Sequence, residues 1–92
     1  MSKLSPAIQQ ERLLDLLRQV RHDAGLRQTD VAERLGLPQS YVSKYESGER
    51  RLDLLELRKV CQAIGISLEK FVKKFEDALA AAGANGWDAA TT

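Results

Sequence analysis

Glycine recurs through the middle of this chain, and each glycine closes a stretch in which apolar residues return every three or four positions. These glycines are Gly25, Gly36, Gly48 and Gly65. An apolar period of three to four residues is typical of an amphipathic helix. Glycine commonly follows such a helix, because it adopts the left-handed conformation without strain. Since strand-type alternation is not evident, the sequence predicts an all-α fold of short helices.

Five helices are predicted, and each has a proline, a capping residue or a polar residue at its start. The expected starts, in chain order, are Ser5-Pro6, Gln28, Pro38, Asp53 with its capping-box partner Glu56, and Ser67. The second helix is expected to end at Leu35 and the third near Ser47. The residues expected to face inward are Leu13, Leu16, Leu17, Val20 and Ala24, then Val31, Ala32, Leu35, Leu37, Val42 and Tyr45, then Leu54, Leu57, Val60, Cys61 and Ile64, then Leu68, Phe71 and Val72.

The apolar stripe of the fifth predicted helix is longer than one small core requires. It continues for two more turns through Phe75, Leu79 and Ala82. A surplus apolar surface often marks a partner contact, so these three residues are predicted to form a homodimer interface. The alternative is that the stripe folds back onto the first helix, whose early turns carry Ile8 and Leu13.

Length and composition exclude several classes of protein. A chain of 92 residues fits one domain, predicted over residues 5–82 and followed by a flexible tail over 83–92. A single cysteine, Cys61, and a single histidine, His22, predict neither a disulfide nor a structural zinc site. No apolar run suggests a signal peptide or a membrane span. We therefore expect a cytoplasmic, non-enzymatic protein with no cofactor, no membrane partner and no separate small-molecule ligand domain.

The charge balance is nearly neutral, which by itself argues against a nucleic-acid binder. The formal net charge is +1 and the pI is about 7.9, below the pI above about 9 of a strongly basic domain. The charges are not evenly spread, however. Residues 18–51 hold seven Lys/Arg and five Asp/Glu, whereas the remainder holds seven and eight.

The second and third predicted helices form the most informative segment. Two short helices joined by a turn of three to four residues with a glycine describe a helix-turn-helix unit. Ala32 supplies the small side chain that lets the two helices approach closely, and Gly36 supplies the turn. The outward positions of the third helix, Gln39, Ser40, Ser43 and Lys44, are polar rather than rich in ion pairs.

This segment resembles the lambda-repressor/Cro-like (Xre family) helix-turn-helix domains over about residues 10–76. The matching marks are Gly25-Leu26-x-Gln28, Val31-Ala32-x-x-Leu35-Gly36-Leu37, Val42-Ser43-x-x-Glu46-x-Gly48, and the closing segment Leu57 to Ile64 followed by Gly65-Ile66-Ser67-Leu68. So many small and apolar positions in register favour the family's compact five-helix fold, and the resemblance implies double-stranded DNA as the partner.

The resemblance also implies roles for individual residues. The third helix would lie in the major groove, with base contacts from Gln39, Ser40 and Lys44. Phosphate contacts would come from Gln28, Arg27, Tyr41, Ser43, Arg50 and Arg51. Arg21 and Glu46 match a structural ion pair. Two departures are Arg27, where the family often has a capping Ser or Thr, and Pro38, which lacks an N–H for a phosphate.

The resemblance therefore implies a sequence-specific transcriptional regulator, of repressor type, that binds a palindromic operator as a homodimer. A different class stays open: a protein-interaction module that keeps the fold with little direct DNA readout. The acidic residues Asp30, Glu33 and Glu49 near the proposed DNA face favour this alternative.

Overall fold

The computed structural model describes residues 4–83 and contains five α-helices over that range, with no strand. The helices are α1 (Pro6–Asp23), α2 (Gln28–Leu35), α3 (Gln39–Ser47), α4 (Leu54–Ile64) and α5 (Leu68–Ala81). The all-α, five-helix prediction is thus confirmed. Most of the predicted tail, residues 84–92, lies outside the described residues.

Local signals fix where the helices begin. The side chains of Ser5, Asp53 and Ser67 each accept a hydrogen bond from the backbone N–H three residues later. Each such cap satisfies a donor that the first helical turn leaves without a partner. The Glu56 carboxylate also accepts the Asp53 N–H at 2.9 Å, which completes the predicted capping box.

One hydrophobic core joins all five helices. Helix α3 packs against α1 and α2, α4 packs against α2 and α5, and α5 also packs against α1. The fully buried side chains at the centre are Leu17, Val31, Val42, Tyr45, Val60, Cys61 and Phe71. The helix-turn-helix is therefore fixed on one side of a core that the other three helices complete.

Two glycines shape the helix-turn-helix. Gly36 ends α2 with φ 71°, and the following Leu37 N–H donates to the Ala32 carbonyl at 3.0 Å. Gly48 ends α3 with φ 87°, and a Cβ there would lie 3.0 Å from Cδ1 of Leu14. Gly48 is thus required both by its left-handed backbone and by close packing against α1.

Four residues that the apolar pattern placed inside are exposed. Leu54 is 65% exposed because it is the first residue of α4 and lies at its free end, beside Leu55 at 75%. Leu37 and Val72 are each 42% exposed, and Ala24 is exposed at the C-cap of α1. Periodicity identified the correct helical faces but not where the neighbouring helices stop covering them.

Candidate nucleic-acid interface

The first turns of α3 present a polar surface that no other helix covers. Gln39, Ser40, Ser43 and Lys44 are all exposed, while Val42 lies in the core at 0% exposure. Gln39 and Ser43 are four residues apart, as are Ser40 and Lys44, so the four side chains share one face of the helix. We call this surface the α3 face.

Hydrogen bonds link Gln39 to the protein interior. Its amide nitrogen Nε2 donates to Oε1 of Gln28 at 2.8 Å. Gln28 in turn donates from Nε2 to Oε1 of Glu46 at 3.0 Å. Gln39 is therefore held at the start of α3 by a side chain at the start of α2, which is itself anchored on a buried carboxylate.

That buried carboxylate belongs to a two-point ion pair between α1 and α3. Arg21 donates from Nε and Nη2 to the two Glu46 carboxylate oxygens at 2.7 and 2.9 Å. Arg21 is 7% exposed and Glu46 2%. The hydrogen bond to Glu46 raises the pKa of Arg21, so the guanidinium stays charged. A third donor, Nη1, reaches the Leu26 carbonyl at 3.0 Å and fixes the loop before α2.

The start of α2 already carries a carboxylate. Asp30 accepts the Arg27 backbone N–H at 2.7 Å and two guanidinium bonds from Arg27 at 3.1 and 3.0 Å. These bonds from Arg27 lower the pKa of Asp30 to about 2. Asp30 thus satisfies the N–H of the N-cap residue Arg27, while the first-turn N–H that a capping hydroxyl would bind receives no side-chain cap. A DNA phosphate would have to compete with Asp30 for Arg27.

A cluster built around Tyr41 connects the first turn of α3 with the segment that follows this helix. The Tyr41 ring packs edge-on against Tyr45, with ring centres 5.7 Å apart, and the Arg50 guanidinium lies 4.9 Å from the Tyr41 ring centre. Arg50 also pairs with the Glu56 carboxylate on α4. Arg51 is exposed, and within residues 4–83 neither Arg51 nor Lys44 forms an ion pair.

The structure joins two of the predicted DNA contacts, Gln39 and Gln28, and brings four others to one surface pocket: Ser40, Tyr41, Lys44 and Arg50.

The predicted dimer stripe on α5 is largely covered. Leu79 is 3% exposed, because the rest of the chain covers it. Phe75 and Ala82 are half-buried. The stripe therefore has little free surface to offer a partner, which favours the alternative that α5 folds back onto α1, against which it packs.

The sequence did not predict two hydrogen bonds from arginine side chains to carbonyls of other helices. Arg18 donates from Nη1 to the Glu46 carbonyl at 2.5 Å, and Arg34 donates from Nη1 to the Ala63 carbonyl at 2.8 Å, near the end of α4. Arginine near a helix C-terminus binds the unpaired carbonyls there, but no local pattern shows which helix end it will reach. The Gln28–Gln39 bond was not predicted either, because the two residues are 11 positions apart and no local pattern pairs them.

Residues 4–83 contain no group of three or more His, Cys, Asp or Glu side chains that could hold a metal ion. No helix in the same range is long and apolar enough to cross a membrane.

Comparison with known proteins agrees with this geometry. The family model described as helix-turn-helix matches residues 17–71, more than half of the chain. The chain belongs to the Xre-like helix-turn-helix family. A solved structure of an XRE-family like protein from Pseudomonas syringae pv. tomato str. DC3000 is 45% identical, with a TM-score of 0.71 over 75% of this chain and 84% of that one. No curated protein matches. Membership assigns the chain to a class of DNA-binding regulators in general.

Proposed function

We propose that this Xre-like protein is a sequence-specific transcriptional regulator of repressor type that binds a palindromic operator as a homodimer. In this proposal α3 enters the major groove and the α3 face meets the base edges. Gln39 pairs with adenine N6/N7, Lys44 donates to guanine O6/N7, and Ser40 forms a weaker contact. Gln28, Arg27, Tyr41, Ser43, Arg50 and Arg51 contact the flanking phosphates.

The observation that carries the proposal is the fixed position of Gln39. A glutamine reads adenine with two hydrogen bonds only when its amide is correctly oriented. The bond from Gln39 to Gln28 at 2.8 Å, continued to the buried Glu46, supplies that orientation before DNA arrives. A merely solvated surface has no need of such a connection to the core. The other polar side chains of the α3 face are exposed beside it.

The readout is tested by selecting bound sites from a random duplex library and measuring affinity for the selected site. Gln39→Ala should cost about 1–3 kcal/mol on that site and leave binding to random duplex nearly unchanged. Lys70→Ala, an exposed cation on α5, is the matched control and should change neither affinity. Failure to enrich any site, or equal losses on selected and random duplex, would refute the base contacts.

Phosphate contacts are tested by the dependence of affinity on salt. Each neutralised phosphate contributes about −0.9 to the slope of log K against log salt. Arg51→Ala should therefore make the slope less steep by about one unit, whereas Lys70→Ala should not. Absence of binding at low salt would favour the other function class, a protein-interaction module, because such a module needs no attraction to phosphate.

For the dimer, the structure favours a different surface from the α5 stripe. Leu54 and Leu55 are the two most exposed large apolar side chains in residues 4–83. They follow Arg51, a proposed phosphate contact, by three and four residues in sequence. A contact close to a phosphate-contacting residue suits two subunits that bind successive major grooves, ~34 Å apart. We therefore propose Leu54 and Leu55 as the dimer contact.

Sedimentation equilibrium separates the two candidate surfaces. If the leucine pair forms the contact, Leu55→Glu should be monomeric while Phe75→Glu keeps the dimer mass. Loss of the dimer in Phe75→Glu alone would return the interface to the α5 stripe. A monomeric mass for the parent at every concentration, with and without operator DNA, would contradict the homodimer.

A further inference from the structure

A carboxylate lies among the proposed DNA contacts. Glu49 lines the surface pocket that four of those contacts share, Lys44 and Arg50 among them. It is exposed, and it directly follows Gly48, the glycine that ends α3. Among the residues that line this pocket in the described part of the chain, Glu49 is the only acidic one. The proposed function gives it no role.

The Glu49 carboxylate is not paired with a cation of the described chain. Over residues 4–83 it forms no ion pair, although Lys44 and Arg50 line the same pocket. Asp30 at the start of α2 differs, because it accepts two bonds from the Arg27 guanidinium. Glu49 therefore presents an unpaired carboxylate to the surface that is proposed to meet a polyanion.

We propose that Glu49 repels the DNA backbone and thereby limits the affinity of this protein for duplex of any sequence. The inference rests on the proposed function, because a phosphate bound by the neighbouring Arg50 also comes close to Glu49. Two like charges about 4–8 Å apart in water repel each other with an energy that corresponds to roughly a 2- to 6-fold change in affinity. With less affinity from phosphates, a bound site depends more on its base contacts.

The test compares two substitutions that each remove one negative charge. Glu49→Gln keeps the shape of the side chain. Glu69→Gln is the matched control, because Glu69 on α5 is also exposed and forms no ion pair within the described residues. Fluorescence anisotropy measures the affinity for random duplex and for the selected site at about 0.1 M salt, where charges more than ~10 Å apart are largely screened.

The expected result is a gain of affinity that does not depend on DNA sequence. Glu49→Gln should bind random duplex and the selected site more tightly than the parent, by the same factor of about 2- to 6-fold for each subunit. Glu69→Gln should change either affinity less than about two-fold, because its charge is screened. Glu49→Lys should gain more than Glu49→Gln, because an attraction replaces the repulsion.

Three other outcomes would overturn the proposal, and they differ in what they leave standing. Equal effects of Glu49→Gln and Glu69→Gln would remove the repulsion but keep the proposed DNA contacts. Weaker binding of Glu49→Gln to the selected site, with random duplex unchanged, would make Glu49 a base contact, since a carboxylate accepts from cytosine N4. If neither the parent nor Glu49→Lys binds any duplex at low salt, the proposed function fails, and the repulsion fails with it.

Discussion

Removal of the Arg21 side chain is the perturbation for which the structure gives the clearest expected magnitude. In Arg21→Met the aliphatic part of the side chain is kept, but Glu46 loses both hydrogen bonds from its counter-ion, at 2.7 and 2.9 Å. Glu46 is 2% exposed, so water cannot replace them. Breaking one side of a buried pair costs about 3–5 kcal/mol.

That loss is large for a chain of this size. Proteins have a free energy of unfolding of about 0.05–0.15 kcal/mol per residue, which gives roughly 5–14 kcal/mol here. Urea unfolding followed by circular dichroism should therefore show Arg21→Met far less stable than the parent. Arg12→Met on the same helix is the control, because its 3.9 Å pair with Asp15 is exposed and such pairs contribute at most about 1 kcal/mol.

A double variant separates two contributions to this loss: the missing attraction between Arg21 and Glu46, and the cost of leaving the buried Glu46 charge without a partner. Arg21→Met combined with Glu46→Leu removes both charges, so most of the stability lost in Arg21→Met should return. Recovery should be incomplete, since the bonds to the Leu26 carbonyl and to Gln28 are also lost. A loss of unfolding free energy under about 1 kcal/mol in Arg21→Met would refute the reasoning. So would a double variant whose loss equals the sum of the losses in Arg21→Met and Glu46→Leu measured separately.

Two further predictions concern the backbone and acid stability. Gly36→Ala should lower the free energy of unfolding by about 1–2 kcal/mol, because a side chain is strained at its φ of 71° although the space around it is open. Gly48→Ala should lower it more, because the added Cβ would also lie 3.0 Å from Leu14. Equal urea midpoints for the two variants would contradict this. The pKa of Asp30 falls from 3.8 to about 2 in the fold, so its bonds from Arg27 stabilise the protein above pH 3.8 and are lost toward pH 2. The stability difference between the parent and Asp30→Asn should therefore vanish over that pH window, and a difference unchanged by pH would refute the assignment.

The sequence predicted helices well because their signals are local. Caps at Ser5, Asp53 and Ser67 act within one turn, and each works in the fold as its position suggests. The exposure of a side chain is not a local property, because an apolar period shows which face of a helix is apolar but not whether another helix covers it. Leu54 and Leu79 both lie on apolar stripes, yet one is 65% exposed and the other 3%.

Side-chain pairing at the candidate interface was likewise beyond local reasoning. The roles implied for Arg27 and Arg50 assumed free guanidinium groups directed at phosphates. In the fold Arg27 bonds to Asp30 and Arg50 pairs with Glu56 while it packs on Tyr41. The first pairing lies within one helical turn and was accessible to sequence reasoning, whereas the second depends on how α3 and α4 are placed.

These ion pairs determine how many cations of the nearly neutral chain are free to attract DNA phosphates. Of the four cations proposed for the DNA side, Arg27 and Arg50 are paired with carboxylates, whereas Lys44 and Arg51 form no ion pair within residues 4–83. Since the proposal gives Lys44 to a base, each subunit of the proposed dimer brings one unpaired cation, Arg51, to a phosphate. At about −0.9 per phosphate, the proposed dimer is expected to have a salt slope of about −2 before any phosphate displaces the carboxylate partners of Arg27 and Arg50. Sequence-independent binding is consequently expected to be weak. In the proposal, discrimination comes from base contacts such as that of Gln39, whose side chain is held by Gln28.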